Sequence, residues 1–308
     1  MGGRHLSKPF LSVYGHVSID QIMAVDKFPD LNTTVDALSK TTLLGGTGAN
    51  IATVAATLGV PTAICALVGS DFPAEFEREM EASGLMMDEF VRVGGYDASS
   101  AIVVNDGKFD QVVYFFQGPQ GFATEIGIEL IGMARKSEHV HFCTGEPRYY
   151  IGIMEKLQGG PSIGFDPAQE IHRIWDRDTF SEALGLSDVF FCNTVEMATA
   201  ERYLGHPMPV PGKTTVCTLG ARGSVAWHNG ERHEIPVIEG NGVVDATGAG
   251  DAFRAGYYAG LYRGYGFRDS LIIASTVSSF IVEKVGALSN VPDWDSVMER
   301  ADGLLGRE

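Results

Sequence analysis

The chain has 308 residues, enough for one large α/β domain or a domain with an appendage, and its 44% apolar and 20% charged residues are ordinary for a globular protein. A formal net charge of −16, from 39 acidic and 23 basic residues, excludes the basic stripe expected of a nucleic-acid binder. No stretch reaches the roughly 18 uncharged apolar residues of a membrane span. The segment from Arg4 to Tyr14 lacks a signal peptide's apolar region, so a cytoplasmic location is expected.

In chain order, Phe10 to Tyr14 reads as a short buried strand, and Gly15 to Asp20 as a turn leaving its C-terminal end with a carboxylate. Residues 21 to 44 alternate weakly and suit exposed β ribbon. Gly45-Gly46-Thr47-Gly48-Ala49-Asn50 opens a helix over Ile51 to Leu58, closed by Gly59 and Pro61. That glycine cluster is either a ligand-facing turn or a tight packing turn. Thr62 to Val68 is a buried strand and Pro73 to Ala82 a helix. Ser99 to Val104 and Val112 to Phe116 form a hairpin around Asn105-Asp106-Gly107. It ends in Tyr114-Phe115-Phe116-Gln117, aromatics that belong to the core or close over a planar ligand.

From residue 120 onward strands and helices alternate, as in a parallel sheet. The strands His139 to Cys143, Ser162 to Phe165, Val189 to Cys192 and Thr214 to Leu219 each run into a polar turn. In such sheets the strand ends line the ligand crevice. An antiparallel ribbon over 224 to 238 turns at Asn229-Gly230, and helices follow at about 249 to 264, 267 to 283 and 293 to 304. The four cysteines, Cys65, Cys143, Cys192 and Cys217, sit singly in apolar runs and read as core thiols. Gly212-Lys213-Thr214 is not a P-loop, since Pro207 stands where the first glycine belongs.

The most informative stretch is Asp245-Ala-Thr-Gly-Ala-Gly-Asp-Ala-Phe253. Gly248 and Gly250 permit close approach to a backbone whose amides, at a helix start, lack internal partners and attract an anion. A carboxylate beside a bound phosphate is repelled by it unless it takes a proton from an attacking hydroxyl, so Asp251 suggests phosphoryl transfer. The plainer alternative is a helix N-terminus with Asp251 as a first-turn dipole partner.

Four motifs in order resemble the ribokinase-like, or PfkB, family of sugar and nucleoside kinases: Gly45-Gly46-x-Gly48-x-Asn50, Asn193-x-x-Glu196, Thr218-x-Gly220-x-x-Gly223 and Asp245-x-Thr247-Gly248-Ala249-Gly250-Asp251. The resemblance covers nearly the whole chain. It implies a three-layer α/β fold, with a central, mostly parallel sheet and a small β lid from about 16–44 and 90–118. It also implies ATP and Mg²⁺ as cofactors and a homodimer formed through the lid. By the same resemblance Asp251 is the catalytic base, and the amides of Gly248, Ala249 and Gly250 are the anion hole. Asp20, Gly46 and Asn50 hold acceptor hydroxyls, while Phe115, Gln117 and Gln169 face the base. Thr218, Gly220, Gly223, Thr247, Ser279 and Gly286 lie along the nucleotide, and Asn193, Glu196 and Asp245 organise metal and phosphates.

Within the family the chain is similar to the archaeal nucleoside kinases, through Gly15-His16, Thr144-Gly145-Glu146-Pro147, Phe165-Asp166-Pro167-Ala168-Gln169 and Arg254 after Asp-Ala-Phe. Ribokinases usually carry Lys where this chain has Thr47, which leaves Arg254 as a candidate phosphate partner or simply the mate of a nearby carboxylate. The expected activity is ATP- and Mg²⁺-dependent phosphorylation of a ribonucleoside 5′-hydroxyl, with a sugar kinase as the alternative. A sugar phosphate would call for clustered cations, and the lid offers only Lys27, Lys40, Arg92 and Lys108. A regulator that kept the fold without the chemistry would have no need of Asp251.

Overall fold

The structure, a computed structural model, describes residues 8–107 and 110–306. Arg4 and Lys108, named above, lie outside the described residues. Its strands are β1 (Leu11–Tyr14), β2 (Ser18–Val25), β3 (Ala37–Gly45), β4 (Thr62–Gly69), β5 (Met86–Val93), β6 (Ser100–Asn105), β7 (Gln111–Phe116), β8 (His139–Phe142), β9 (Ser162–Phe165), β10 (Val189–Asn193), β11 (Thr214–Thr218), β12 (Ser224–His228) and β13 (Glu231–Ile235). The helices are α1 (Thr47–Thr57), α2 (Ala74–Ala82), α3 (Ala123–Ile126), α4 (Pro147–Leu157), α5 (Arg177–Leu186), α6 (Thr194–Leu204), α7 (Ala249–Tyr262), α8 (Phe267–Ile281) and α9 (Trp294–Arg300).

Successive side chains of a strand point to opposite faces, and here the two faces feed two cores. Ile64, Ala66 and Val68 of β4 join the core beneath α1, α7 and α8; Ala63, Cys65 and Leu67 join the one beneath α4 and α5. Covering on both faces explains why β1 and β4 are buried along their whole length and read as unbroken apolar runs. The nine-stranded sheet runs β13-β12-β11-β10-β9-β8-β1-β4-β5, parallel from β11 to β5 and antiparallel in the β11-β12-β13 ribbon. A second, four-stranded sheet has the order β3-β2-β6-β7. The α/β architecture is the expected one, a large mostly parallel sheet between helices with a smaller sheet beside it.

Several boundaries differ from the sequence reading. Ser18 to Asp20 belong to β2 rather than to a turn, so Asp20 sits on the small sheet. Residues 90 to 93 belong to β5, which pairs with β4 in the large sheet; its Asp88, Glu89 and Arg92 are the charges of an edge strand. Helix α1 begins at Thr47, four residues early. Gly48 lies inside it, and a Cβ there would come within 2.7 Å of the Gly15 carbonyl carbon, so this glycine serves close packing rather than a turn.

Candidate active site

Two cavities meet at the start of α7. One, of about 510 Å³, lies between β11, the 237–243 segment and α8. Val237, Ile238, Phe253 and Val282 give it apolar walls, and Thr218, Gly220, Gly223 and Ser279 also line it. Such a slot suits a planar base with few directional contacts. The other, of about 670 Å³, lies between the small sheet and the large one and is lined by Asp20, Gly46, Asn50, Phe115, Gln169, Asn193, Glu196, Thr247, Asp251 and Arg254. Thr218 and Gly250 line both.

The turn at the junction is built as its glycines require. Gly248 caps α7 with φ +76°, and a Cβ on it would lie 2.3 Å from the Ala287 Cβ. The first amide of this turn to bond back into the helix is that of Ala252, to the Gly248 carbonyl at 2.9 Å. The preceding amides of Gly250 and Asp251 stand at the positive end of the helix dipole. Ser278 of α8 anchors the turn by donating to the Ala249 carbonyl at 2.9 Å.

On the other side, Gly46 adopts φ +92°, where a Cβ would meet the His16 carbonyl oxygen at 2.3 Å. Gly45 leaves room for Asp20, since a Cβ there would lie 2.1 Å from Asp20 Oδ2. Ser18 Oγ donates to Asp20 Oδ1 at 2.6 Å, and burial raises the Asp20 carboxyl above its usual range. Asn50 Nδ2 donates to Asp251 Oδ2 at 2.7 Å, while Asn50 Oδ1 is buried without a partner.

The electrostatics centre on Arg254. Its Nε donates to Asp166 Oδ2 at 2.7 Å and its guanidinium lies over the Phe191 ring. Burial works against its charge, yet Asp166, Glu196 and Asp251 around it hold it firmly protonated. Burial also opposes the Asp166 charge, but Arg254 holds that carboxyl below its usual range. Burial pushes Asp251 up to about 7, and burial with the Asp166 charge does the same to Glu196. Asp251 can therefore exchange a proton near neutral pH, as a general base must.

Asn193 and Glu196 form a capping box at the start of α6: Asn193 Oδ1 accepts from the Val195 and Glu196 amides, and Glu196 accepts from the Asn193 amide at 2.7 Å and its Nδ2 at 2.9 Å. Among the described residues no three His, Cys, Asp or Glu side chains form a cluster able to hold a metal by themselves. The buried Asp166 Oδ1 has no partner. One guanidinium among three carboxylates leaves an excess of negative charge, which fits a Mg²⁺ shared with phosphates and waters rather than caged by protein.

Three expected positions are placed differently. Asp245 lines neither cavity; its Oδ1 accepts from the Thr247 amide and hydroxyl, and its Oδ2 from the Gly286 amide at 2.9 Å. It staples the loop in an Asx-type turn, and these bonds, against the effect of burial, hold its carboxyl low. Gly286 contributes to the site only through that bond. Gln117 points away from the larger cavity because β7 ends at Phe116 and the chain turns into a short 3₁₀ segment, with φ −66° and ψ −29° at Gln117. Thr47, Asp166 and Arg173 line the larger cavity without having been assigned a role from sequence. For Asp166 the signal was a carboxylate immediately following a buried strand; Arg173 carries none.

These features can be set beside known proteins. A protein named nucleoside kinase from Methanothermobacter thermautotrophicus is 32% identical over 306 residues, 97% of each chain. One from Methanocaldococcus jannaschii is 29% identical over 306 residues, 98% of this chain and 99% of its own. The crystal structure of the M. jannaschii nucleoside kinase superposes with a TM-score of 0.87 at 28% identity, covering 96% of this chain and 98% of that one. Burkholderia thailandensis nucleoside kinase in complex with inosine, at 21% identity, shares the fold with a TM-score of 0.85, over 94% and 97% of the two chains. The model of the pfkB family carbohydrate kinases matches residues 8–148 and 171–294. The chain belongs to the pfkB family of carbohydrate kinases.

Proposed function

We propose that this kinase transfers the γ-phosphoryl group of ATP to the 5′-hydroxyl of a ribonucleoside. The observation that carries the reading is the Asn50–Asp251 bond at the junction of the two cavities, with the Gly248–Gly250 turn beside it. Asp20 and the unpartnered Asn50 Oδ1 hold the ribose hydroxyls, Gly46 lets the sugar approach the backbone, and Phe115, with Gln169 and Arg173, faces the base. Asp251 takes the proton from the 5′-hydroxyl, while the amides of Gly248 and Gly250 meet the charge on the transferring group; the Ala249 amide, expected to join them, donates instead to the Ala246 carbonyl at 3.2 Å. Thr218, Gly220, Gly223 and Ser279 line the nucleotide, and Thr247 the phosphates. Glu196, positioned by Asn193, and Asp166 would hold Mg²⁺. The ion, when bound, neutralises charge on the β- and γ-phosphates. Arg254 keeps the three carboxylates compatible with an incoming polyphosphate.

The acceptor class is supported by the relatives named nucleoside kinase and by the cavity, about 670 Å³ with an aromatic ring on one wall, which a free sugar would leave unfilled. Measuring ADP formation with a panel of nucleosides and free sugars tests it. Turnover with at least one nucleoside, well above every sugar, is expected; a sugar preferred over all nucleosides overturns the acceptor, and no turnover at all overturns the enzyme reading. On its face away from the cavity the small sheet also presents Ile102, Val112, Tyr114 and Phe116 to solvent, and we assign this face to a homodimer contact that light scattering would detect. Among the described residues no helix is long and apolar enough to cross a membrane, and we place the ATP-dependent reaction in the cytoplasm.

A further inference from the structure

The chain passes between the two sheets four times, and these crossings are knotted around one buried carboxylate. Glu170, 1% exposed, lies on the short turn Ala168–His172 after β9. Its Oε1 accepts from Gln117 Nε2 at 3.1 Å and its Oε2 from the Gly145 amide at 2.6 Å. Gln117 stands where the chain leaves the small sheet after β7, and Gly145 follows β8 of the large one. His16, where the chain enters the small sheet from β1, holds its Nδ1 3.8 Å from the Glu170 carboxylate and 3.0 Å from Thr144 Oγ1. Its carbonyl accepts from the Gly48 amide at 3.0 Å, on the return crossing. Ser99, on the remaining crossing, donates through Oγ to the Gln117 carbonyl at 2.7 Å.

Glu170 does not line the acceptor cavity, but its neighbours do. Gln169 and Arg173 face that cavity from the same turn, and the Arg173 guanidinium lies 5.6 Å from the centre of the Phe115 ring, two residues before Gln117. The His16 ring meets Phe115 edge-on at 5.0 Å. Ala168 opens the turn at φ +48°, a conformation uncommon for a residue with a Cβ and held by its surroundings. A carboxylate this deeply buried is costly unless it is hydrogen-bonded, and both bonds it accepts go to the junction of the two sheets. Burial pushes Glu170 up to about 7 and His16 down to about 4, so His16 faces it as a neutral ring; Arg173 is the other charged side chain felt there.

We propose that Glu170 is a positioning residue that latches the small sheet over the acceptor through Gln117, setting Phe115 against the base without touching the acceptor itself. The proposal rests on reading the larger cavity as the nucleoside site. It also accounts for the placement of Gln117, whose amide bridges to the latch instead of to the ligand.

Gln117→Leu cuts the link to the small sheet and leaves the Gly145–Glu170 bond. The nucleoside KM should rise about tenfold, the loss expected for one hydrogen bond to a charged group, with the ATP KM unchanged. Amide hydrogen exchange in the unliganded variant should accelerate several-fold in residues 100–105 and 111–116 but not in β8 or β9. Glu170→Gln keeps both links, since its carbonyl accepts from Gly145 and, once the Gln117 side-chain amide rotates by half a turn, its amide donates to the Gln117 Oε1, which is buried without a hydrogen-bond partner; it should behave as the parent protein in both measurements. An unchanged nucleoside KM with unchanged exchange in Gln117→Leu overturns the latch. So does exchange that rises equally in β8 and β9, or a parallel rise of both KM values, since either marks general structural damage. If the parent protein phosphorylates no nucleoside, the acceptor reading fails, and the exchange pattern alone still decides for or against the latch.

Discussion

The Asn50 side-chain amide donates to the Asp251 carboxylate at 2.7 Å, joining two helix starts that lie 201 residues apart in the chain. Each follows a glycine cluster, and each brings to the junction one side chain whose role depends on the other. Asn50 keeps Asp251 oriented and partly offsets the cost of its burial; Asp251 in turn fixes which Asn50 atom stays free.

Asp251→Asn should bind ATP normally and lose about 10²- to 10⁴-fold in kcat, the usual magnitude of lost general-base catalysis. In the parent enzyme kcat should fall as the pH drops through about 7. The acid limb will report Asp251 and Glu196 together, since both are raised to about 7 and interact. Steady-state kinetics from pH 5 to 9 check both expectations; full activity at pH 5 would remove Asp251 from the role.

The same substitution should stabilise the fold in alkali. Because the folded state raises the Asp251 carboxyl from 3.8 to about 7, acid favours the folded parent. That contribution is complete below about 4 and is lost as the pH rises through about 7. Asn does not titrate and can still accept from Asn50. Its Tm advantage should therefore be greatest above pH 7 and vanish towards pH 4. An advantage on the order of 1–4 kcal/mol is expected, each tenfold change in proton affinity being about 1.4 kcal/mol. Thermal unfolding at pH 4 and pH 8 provides the comparison.

Arg254→Gln removes the cation that lowers the proton affinity of Asp251, so the acid limb of the rate profile should move to higher pH. Breaking the buried pair with Asp166 should also cost about 3–5 kcal/mol in chemical denaturation, since the buried Asp166 carboxylate is left with only His141 Nε2, 3.8 Å away, beside it. An acid limb that stays in place would show that Arg254 acts on the fold alone.

Gly248→Ala forces a residue with a Cβ to φ +76° and drives that Cβ into Ala287 at 2.3 Å. Left-handed backbone costs about 1–2 kcal/mol and overpacking about 1–3 kcal/mol more. Equilibrium unfolding should show the sum, and kcat should fall because the amides of the turn lose their alignment. By contrast Gly84→Ala, also at positive φ (+93°) but facing open space, should show the backbone cost without the loss of activity.

What the sequence made legible was local. Asp251, Asn50, Gly46 and Glu196 sit beside glycines or caps whose chemistry is written within a few residues, and the buried strands were plain because both their faces are apolar. Asp166, Glu170 and Arg173 act through partners far along the chain; Asp166 pairs with Arg254 across 88 positions, and no periodicity encodes that. Gln117 and Phe115 share a face only while the strand continues, and the strand stops between them. β5 escaped notice because an edge strand carries charges that blur its alternation.

Helix α1 packs directly on α7, through small residues such as Ala52 and Ala255 in the common core. The spacing between Asn50 and Asp251 is therefore as fixed as the core itself, whereas Asp20 and Phe115 ride on the separate sheet. On the proposed reading, the groups that perform the transfer sit on the shared core and those that recognise the acceptor sit on a sheet of their own. Changes of acceptor by redesign or by drift would be absorbed in the small sheet and the 168–173 turn, leaving the transfer machinery untouched.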